Sequence, residues 1–328
     1  MFQGFLLRTC RTIHTTALRW QAPDKAVLSK LRKKTGFPIA KCQKALVMFE
    51  NDLSKAEHWL KEQALKEGWS KAQKLQDRPM SQGLVGVTLN NNVAALVEVN
   101  CETDFVARNP KFQTLVSASA LTCLRYAENN QGNKFTLAKS DLDQMKGPDD
   151  KTLGDLLALS VGDLGENMAI RRAIVVRAAE GNLLGTYVHS TGQKEVSNDK
   201  CIMGKYGAIV VFQQSEVSEG VLPSGELGKQ LCQHIVGMNP GTLGLEDLIA
   251  LETKEETQEE QQGEEEGQKK KKRKQKRKKK KEEDEENRLL FQEFLLDPDL
   301  KVKDFLTQNN AKLEDFARLE CGEELPDS

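Results

Sequence analysis

The chain has 328 residues, long enough for two domains or for one domain with appendages. Its hydrophobic fraction of 38% supports a packed core, and no run approaches the ~18 apolar residues of a membrane-spanning helix, which excludes that class. The formal net charge of −1 conceals a segregation: residues 252–287 hold 13 acidic and 13 basic side chains, and the near-neutral remainder lacks the broad basic field of a nucleic-acid binder.

Residues 1–23 carry Arg8, Arg11 and Arg19 among Thr9, Thr12, Thr15 and Thr16, and the first acidic residue is Asp24. Basic, hydroxyl-rich and acid-free, with Phe2, Phe5, Leu6 and Leu7 for an apolar face, the segment reads as an organellar transit peptide. From 24 to 70 three short helices are expected. Val27, Leu28 and Leu31 mark the first, which Thr35-Gly36 stops at a C-cap. Ile39, Cys42, Leu46 and Phe49 fall on one face of the second. Leu53, Ala56 and Leu60 mark the third, with Ser54 and Glu57 at capping-box spacing. So small a bundle buries little and presents a shallow apolar surface suited to docking. Its pattern resembles a ubiquitin-associated domain. Residues 71–82 read as a linker.

Two β-rich runs, Leu84–Leu89 and Val93–Val99, flank three asparagines and predict a hairpin. Asn109-Pro110 opens a helix whose face carries Phe112, Leu115, Val116, Ser119 and Cys123. The order repeats further on. Leu183–His189 and Tyr206–Gln213 are partner strands, and Ser224 opens a helix with Leu227, Leu231, Ile235 and Met238. Between the repeats lie a helix over Thr152–Leu164 and a strand over Ile170–Val176. The expected fold is therefore α+β: the helical module, then a duplicated core of two subdomains, 83–150 and 151–251, each a small antiparallel sheet with packed helices. A charged low-complexity insert, 252–288, separates the core from a C-terminal segment, 289–328. In that segment Val302, Phe305 and Leu306 imply one helix, and Phe316 with Leu319 another, packing back on the core.

No Gly-rich phosphate loop follows a strand, so direct nucleotide binding is not expected. The seven cysteines are widely spaced, odd in number and without a CxxC pair, which points to free thiols in a reducing compartment rather than to disulfides or zinc. No nucleophile–base pair, metal cluster or cofactor loop is visible, so the chain does not read as an enzyme and no cofactor is expected.

Five motifs in order identify a family. Asn100-Cys-Glu-Thr-Asp-Phe-Val106 resembles the signature of translation elongation factor Ts. So do Leu31-Arg-Lys-Lys-Thr-Gly36 with Cys42-Gln-Lys-Ala-Leu46, and Gly165-Glu-Asn-Met-Ala-Ile-Arg-Arg172. Gly185-Thr-Tyr-Val-His189 and Arg318-Leu-Glu-Cys-Gly-Glu323 complete the set. The Arg/Thr-rich leader points to the mitochondrial form, in the matrix. The resemblance implies a guanine nucleotide exchange factor that forms a heterodimer with mitochondrial elongation factor Tu. It also implies that the helical module and the first subdomain engage the GTPase domain, while the second subdomain reaches another domain. By motif match Thr103, Asp104 and Phe105 form the element that inserts near the partner's nucleotide–magnesium site. His234, in Gln233-His-Ile-Val-Gly-Met238, matches a family contact histidine, and Arg32 and Thr35 are further candidate contacts.

Each of these residues also has a plainer reading. A Thr-Asp-Phe at a strand end is, alone, a turn with a core phenylalanine. His234 lies beside the Leu231–Ile235 apolar face and fits a packed core histidine equally well. His189 reads as a strand-end residue, His58 as surface, and Gly36 as a helix end. The insert departs from the family pattern, replacing a longer helical dimerisation region, so a homodimer through that element is not expected; the insert reads as a spacer. The Lys/Arg run Lys269–Lys281 offers the alternative, a nuclear or RNA-associated binding protein.

Overall fold

A computed structural model describes residues 23–189, 196–198, 201–215, 219–244 and 287–324. The transit-peptide reading of 1–23 falls outside these residues except for its last position, and the charged insert does so up to residue 286. The chain divides into two compact units, residues 1–66 and 67–328.

The first unit holds α1 (Lys25–Thr35), α2 (Ile39–Met48) and the start of α3 (Leu53–Leu75). Asp24 caps α1 by accepting from Ala26 N, and Gly36 ends it in the left-handed region at φ +73°. Leu31, Cys42, Ala45, Leu46, Ala56 and Leu60 form the core, ringed by Phe37, Phe49 and Trp59. The expected capping box at the start of α3 is not used. Asp52 Oδ1 accepts from Ser54 N and Lys55 N, both at 3.0 Å, while Glu57 turns to Lys34 and Lys61.

The residues read as a linker from 71 onward continue α3 to Leu75. The helix persists because its end rests on the next helical layer. Trp69 Nε1 donates to Asp155 Oδ1 at 3.0 Å and Lys71 Nζ to the Gly162 carbonyl at 2.7 Å. Gly68 lets the backbones meet: a Cβ there would stand 2.3 Å from the Ala158 carbonyl oxygen.

In the second unit β1 (Gln82–Asn90) and β2 (Val93–Cys101) form the expected hairpin, paired from Gln82–Cys101 to Asn90–Val93. α4 (Asp104–Ala107) and α5 (Pro110–Asn129) follow, then β3 (Lys134–Ala138), α6 (Lys139–Gln144), α7 (Leu153–Leu164) and β4 (Met168–Arg177). β5 (Leu183–His189), β6 (Val196–Asn198), β7 (Cys201–Gly204), β8 (Tyr206–Gln214) and α8 (Ser224–Met238) come next. β9 (Glu293–Phe294), β10 (Asp297–Lys301), α9 (Val302–Gln308) and β11 (Ala311–Glu320) close the chain. One sheet has the order β3-β4-β2-β1-β7-β6 and another β11-β8-β5, while β9 and β10 pair separately.

Every residue of β2 is buried, and the alternation of its side chains explains the layering. Val93, Ala95, Val97 and Val99 pack with Phe112, Leu115 and Val116 of α5 and with Leu157 and Val161 of α7. Ala94 and Leu96 meet Val188, Ile209, Val211, Ala317 and Leu319 of the second sheet. That sheet turns Ala208, Val210 and Phe212 outward to Leu227, Leu231 and Ile235 of α8, joined by Leu289, Phe294 and Phe305. Helices, sheet, sheet and helix thus form four layers of an α+β fold.

The two sheets draw on interleaved parts of the chain. β4, expected beyond residue 150, pairs with β2 and β3 of the first sheet, and β7 pairs with β1. The helix expected at Phe316 and Leu319 is instead part of β11, which runs antiparallel to β8. Their spacing of three suits a helix, but in a strand it sends the two side chains to opposite faces. Phe316 accordingly joins the α8 side and Leu319 the inter-sheet side.

Candidate functional site

β2 ends at Cys101, and the next four residues build a finger. Thr103, extended at φ −124° and ψ 155°, caps the single turn of α4 by accepting from Val106 N. In that turn Val106 and Ala107 point inward and are buried, which throws Phe105 to the opposite side. Phe105 is 79% exposed, the most exposed of the large hydrophobic side chains among the described residues. Leaving that ring in water forgoes about 2 kcal/mol of burial, a choice that packing alone does not explain. Asp104 sits beside it, half-exposed, and accepts from Arg108 Nη2 at 2.7 Å one turn on. Asn109 then caps α5 with Pro110 at its first position, as its sequence predicts.

The finger is fastened at its base. α7 ends at Gly165, φ +78°, whose left-handed turn aims the next two residues back at the finger. Glu166 Oε2 accepts from Thr103 N at 3.1 Å, and Glu166 Oε1 accepts from Thr103 Oγ1 at 2.7 Å. Asn167 N donates to Glu102 Oε1 at 2.6 Å. Buried Asn167 then extends Nδ2 to the carbonyls of Gln76 at 3.2 Å and Arg78 at 2.8 Å, just past α3. Cys101 Sγ donates to the Thr103 carbonyl at 3.2 Å.

Below the finger lies the buried carboxylate of Glu98, 0% exposed. It accepts from Arg171 Nη1 at 3.0 Å, Arg172 Nε at 2.6 Å, Asn100 Nδ2 at 3.0 Å and Gly322 N at 2.8 Å. Two consecutive arginines reach one carboxylate because β4 bulges here: Glu98 opposes Arg172 and Val99 opposes Ile170. Burial would raise the Glu98 carboxyl, but the Gly322 N–H, Arg172 and Asn100 outweigh it and hold it below its ordinary value. Glu323 bridges Arg172 and Arg318, tying the end of β11 to the first sheet.

His234 lies elsewhere and is 0% exposed, so it presents no atom at the surface that Phe105 occupies. Leu295 N donates to its Nδ1 at 3.1 Å, which leaves Nε2 to carry the proton and donate to Gln292 Oε1 at 2.9 Å. The ring stacks on Phe294. Burial lowers its pKa, with the Gln292 bond opposing. What surfaces above it is the turn joining β9 to β10, where Leu295 is 44% and Leu296 52% exposed. Of the other candidates, Thr103 is turned inward by its bonds to Glu166. Arg32 and Thr35 belong to the first unit, where Arg32 is exposed and Thr35 Oγ1 donates to the Leu31 carbonyl. His58 is exposed, and His189, exposed at the end of β5, bonds Tyr187.

Glu166, Asn167, Glu98 and the Leu295–Leu296 turn were missed as site residues. Glu166 and Asn167 stand inside the Gly165–Arg172 motif, and an acid and an amide directly after a helix-ending glycine are its visible signal. Among the described residues no group of three or more His, Cys, Asp or Glu could hold a metal ion, and no helix is long and apolar enough to cross a membrane. The described cysteines are free; burial pushes the thiols of Cys101, Cys123, Cys201 and Cys321 up to about 12, so they stay protonated.

Two family models match the chain. One described as Elongation factor TS matches residues 102–323, and one described as Elongation factor Ts, mitochondrial, N-terminal matches residues 10–70. Among curated relatives, the chain is similar to proteins named "Elongation factor Ts, mitochondrial". That of Aedes aegypti is 42% identical over 95% of this chain and 93% of its own length. The Branchiostoma floridae protein is 44% identical over 95% and 93%. The Homo sapiens protein is 38% identical over 92% and 84%.

Proposed function

Because the chain belongs to the elongation factor Ts family, we propose that it acts in mitochondrial translation elongation as a guanine nucleotide exchange factor for elongation factor Tu. It promotes GDP release so that GTP can rebind. In this reading residues 1–23 direct the chain to the matrix. The three helices of 24–70 serve as a ubiquitin-associated-like docking module, the interleaved sheets are the two halves of a duplicated core, and 252–288 is a spacer. The assembly is a heterodimer with the GTPase, and the chain itself holds neither nucleotide nor cofactor.

The observation that carries the reading is the presented ring of Phe105 on a braced turn. A GTPase retains GDP through backbone amides around the phosphates and through Mg²⁺ bridging phosphate and side-chain oxygens. A rigid apolar ring pushed beside that site displaces the loop or helix supplying those groups, and rings of this kind dominate interface energies. Asp104 fixes the wedge by accepting from the partner, with Arg108 as its resting donor. Loss of Mg²⁺ leaves the diphosphate charge uncompensated, and GDP departs. No covalent bond is made, so the reading assigns no catalytic residue.

Linkage sets the cost. A factor that binds the empty partner more tightly is itself weakened equally by nucleotide, and a coupling of ~4 kcal/mol corresponds to roughly a thousandfold. Arg32 and Thr35 supply contacts from the helical module. His234 contributes from within, by holding Leu295 N so that the Leu295–Leu296 turn faces outward toward a second domain of the partner.

Stopped-flow release of labelled GDP from elongation factor Tu tests the proposal. Acceleration by the chain is expected, and its absence at micromolar concentrations rejects the reading.

A further inference from the structure

The finger would not hold its shape on its own covalent geometry. Its helix is a single turn of four residues, far below the length at which a helix is stable in water. Val106 and Ala107 anchor one side of that turn. Phe105, on the other side, is 79% exposed and belongs to none of the core clusters that would fix the direction of its ring. Direction therefore comes from the backbone of Thr103, the residue from which the turn starts.

That backbone is held by groups 63 to 65 positions away. Glu166 takes both donors of Thr103, at 3.1 and 2.7 Å, in a two-point grip that fixes orientation as well as position. Asn167 N reaches the preceding residue through Glu102 Oε1 at 2.6 Å. Its side chain, buried, spends both amide hydrogens on the carbonyls of Gln76 and Arg78. Arg78 Nη1 also approaches Glu102 Oε1 at 3.5 Å. Three segments thus meet at one knot: the chain leaving α3, the α7–β4 corner and the base of the finger. Asn167 is buried and Glu166 half-buried, whereas the ring of Phe105 is exposed.

We propose that Glu166 and Asn167 are positioning residues for nucleotide exchange, gripping Thr103 and Glu102 so that Phe105 is presented in one direction. The inference rests on the exchange-factor reading. Without the grip the turn samples several orientations, and only a fraction of molecules meets the partner with the ring aimed correctly. The maximal rate of GDP release then falls by that fraction, while overall affinity, spread over other contacts, changes little.

The test is a double-mutant cycle in the full chain, with Glu166→Ala, Phe105→Ala and the pair. Labelled-GDP release from elongation factor Tu is followed at saturating and limiting chain concentrations. Glu166→Ala is expected to lower the saturating rate roughly tenfold and the half-saturating concentration less than threefold. In the Phe105→Ala background the same substitution should change the rate less than twofold, because the ring it aims is gone. Glu166→Gln keeps one acceptor and should fall between wild type and Ala; if Glu166→Ala does not fold, it replaces Ala in the cycle. Equal fold-losses in both backgrounds would show that Glu166 acts elsewhere and overturn the proposal. Amide hydrogen exchange of the free chain is read in parallel. The Thr103 N–H should exchange at least tenfold faster in the variant, and unchanged protection also overturns the proposal. A Phe105→Ala chain that exchanges nucleotide at the wild-type rate would instead sink the exchange-finger reading, and the Thr103 amide would still report on the grip.

Discussion

The finger at Phe105 and the turn at Leu295–Leu296 solve one problem with opposite chemistry. Both hold apolar side chains in water, and both do so by tying a backbone N–H just before or within the exposed stretch to a side-chain acceptor far away in sequence. At the finger the acceptor is a half-buried carboxylate, that of Glu166. At the turn it is a neutral imidazole with no exposed surface. Exposure of an apolar residue is thus something the chain enforces, and the enforcing group decides the conditions under which it fails.

The largest effect is expected at Glu98. Glu98→Ala leaves Arg171 and Arg172 without their buried partner and releases Gly322, and should cost about 4 kcal/mol in denaturant unfolding. A loss under 1 kcal/mol would mean that the two sites do not differ in how firmly they are founded. Next comes Phe105→Ala, expected to reduce the rate constant for GDP release by about 2 kcal/mol, roughly thirtyfold, while shifting stability by less than about 0.5 kcal/mol. Comparable losses of stability and exchange would place the ring in the core after all. His234→Ala removes the acceptor of Leu295 N and the donor to Gln292 Oε1 and should cost about 1.5 kcal/mol of stability, read by thermal unfolding.

The smallest effect sharpens the contrast most. His234 is held neutral, its pKa lowered in the fold, so its contribution is fully present above the ordinary value of 6.5 and fades as pH falls through the lower folded value. Glu98, also lowered, keeps its contribution down to the ordinary value of 4.5 and loses it only below that. The stability contributed by the Leu295–His234 bond should therefore begin to fall below 6.5, and that of the Gly322–Glu98 bond only below 4.5, read by amide hydrogen exchange of Leu295 and Gly322. Simultaneous loss at both would refute the assignment of separate acceptors.

What the sequence revealed divides along the same line between local and distant. Strands β1 and β2, the Asn109-Pro110 start of α5 and the Gly36 stop of α1 are written in neighbouring residues, and each forms where its pattern says. The placing of β4 beside β2 is not, because a ten-residue strand of β-formers carries no label for its partner. Phe316 and Leu319 misread as a helix for a related reason: a spacing of three fits either structure until a neighbour such as β8 selects one. α3 outlasted its expected end at residue 70 because Trp69 and Lys71 found acceptors on α7, more than eighty residues on. Of the site, the exposed ring followed from the motif, whereas its grip by Glu166 and the burial of His234 against Gln292 depend on pairings across 63 and 58 positions.

The last strand has a bearing on how the molecule comes into being. β11 supplies one edge of the three-stranded sheet, and Leu289, Phe294 and Phe305 close the outer side of α8. A chain emerging from a ribosome or threading a membrane pore amino-end first therefore exposes Phe212, Leu231 and Ile235 until some forty terminal residues arrive. We expect a nascent chain stalled before residue 289 to be retained by a chaperone, and one released past residue 320 to let go.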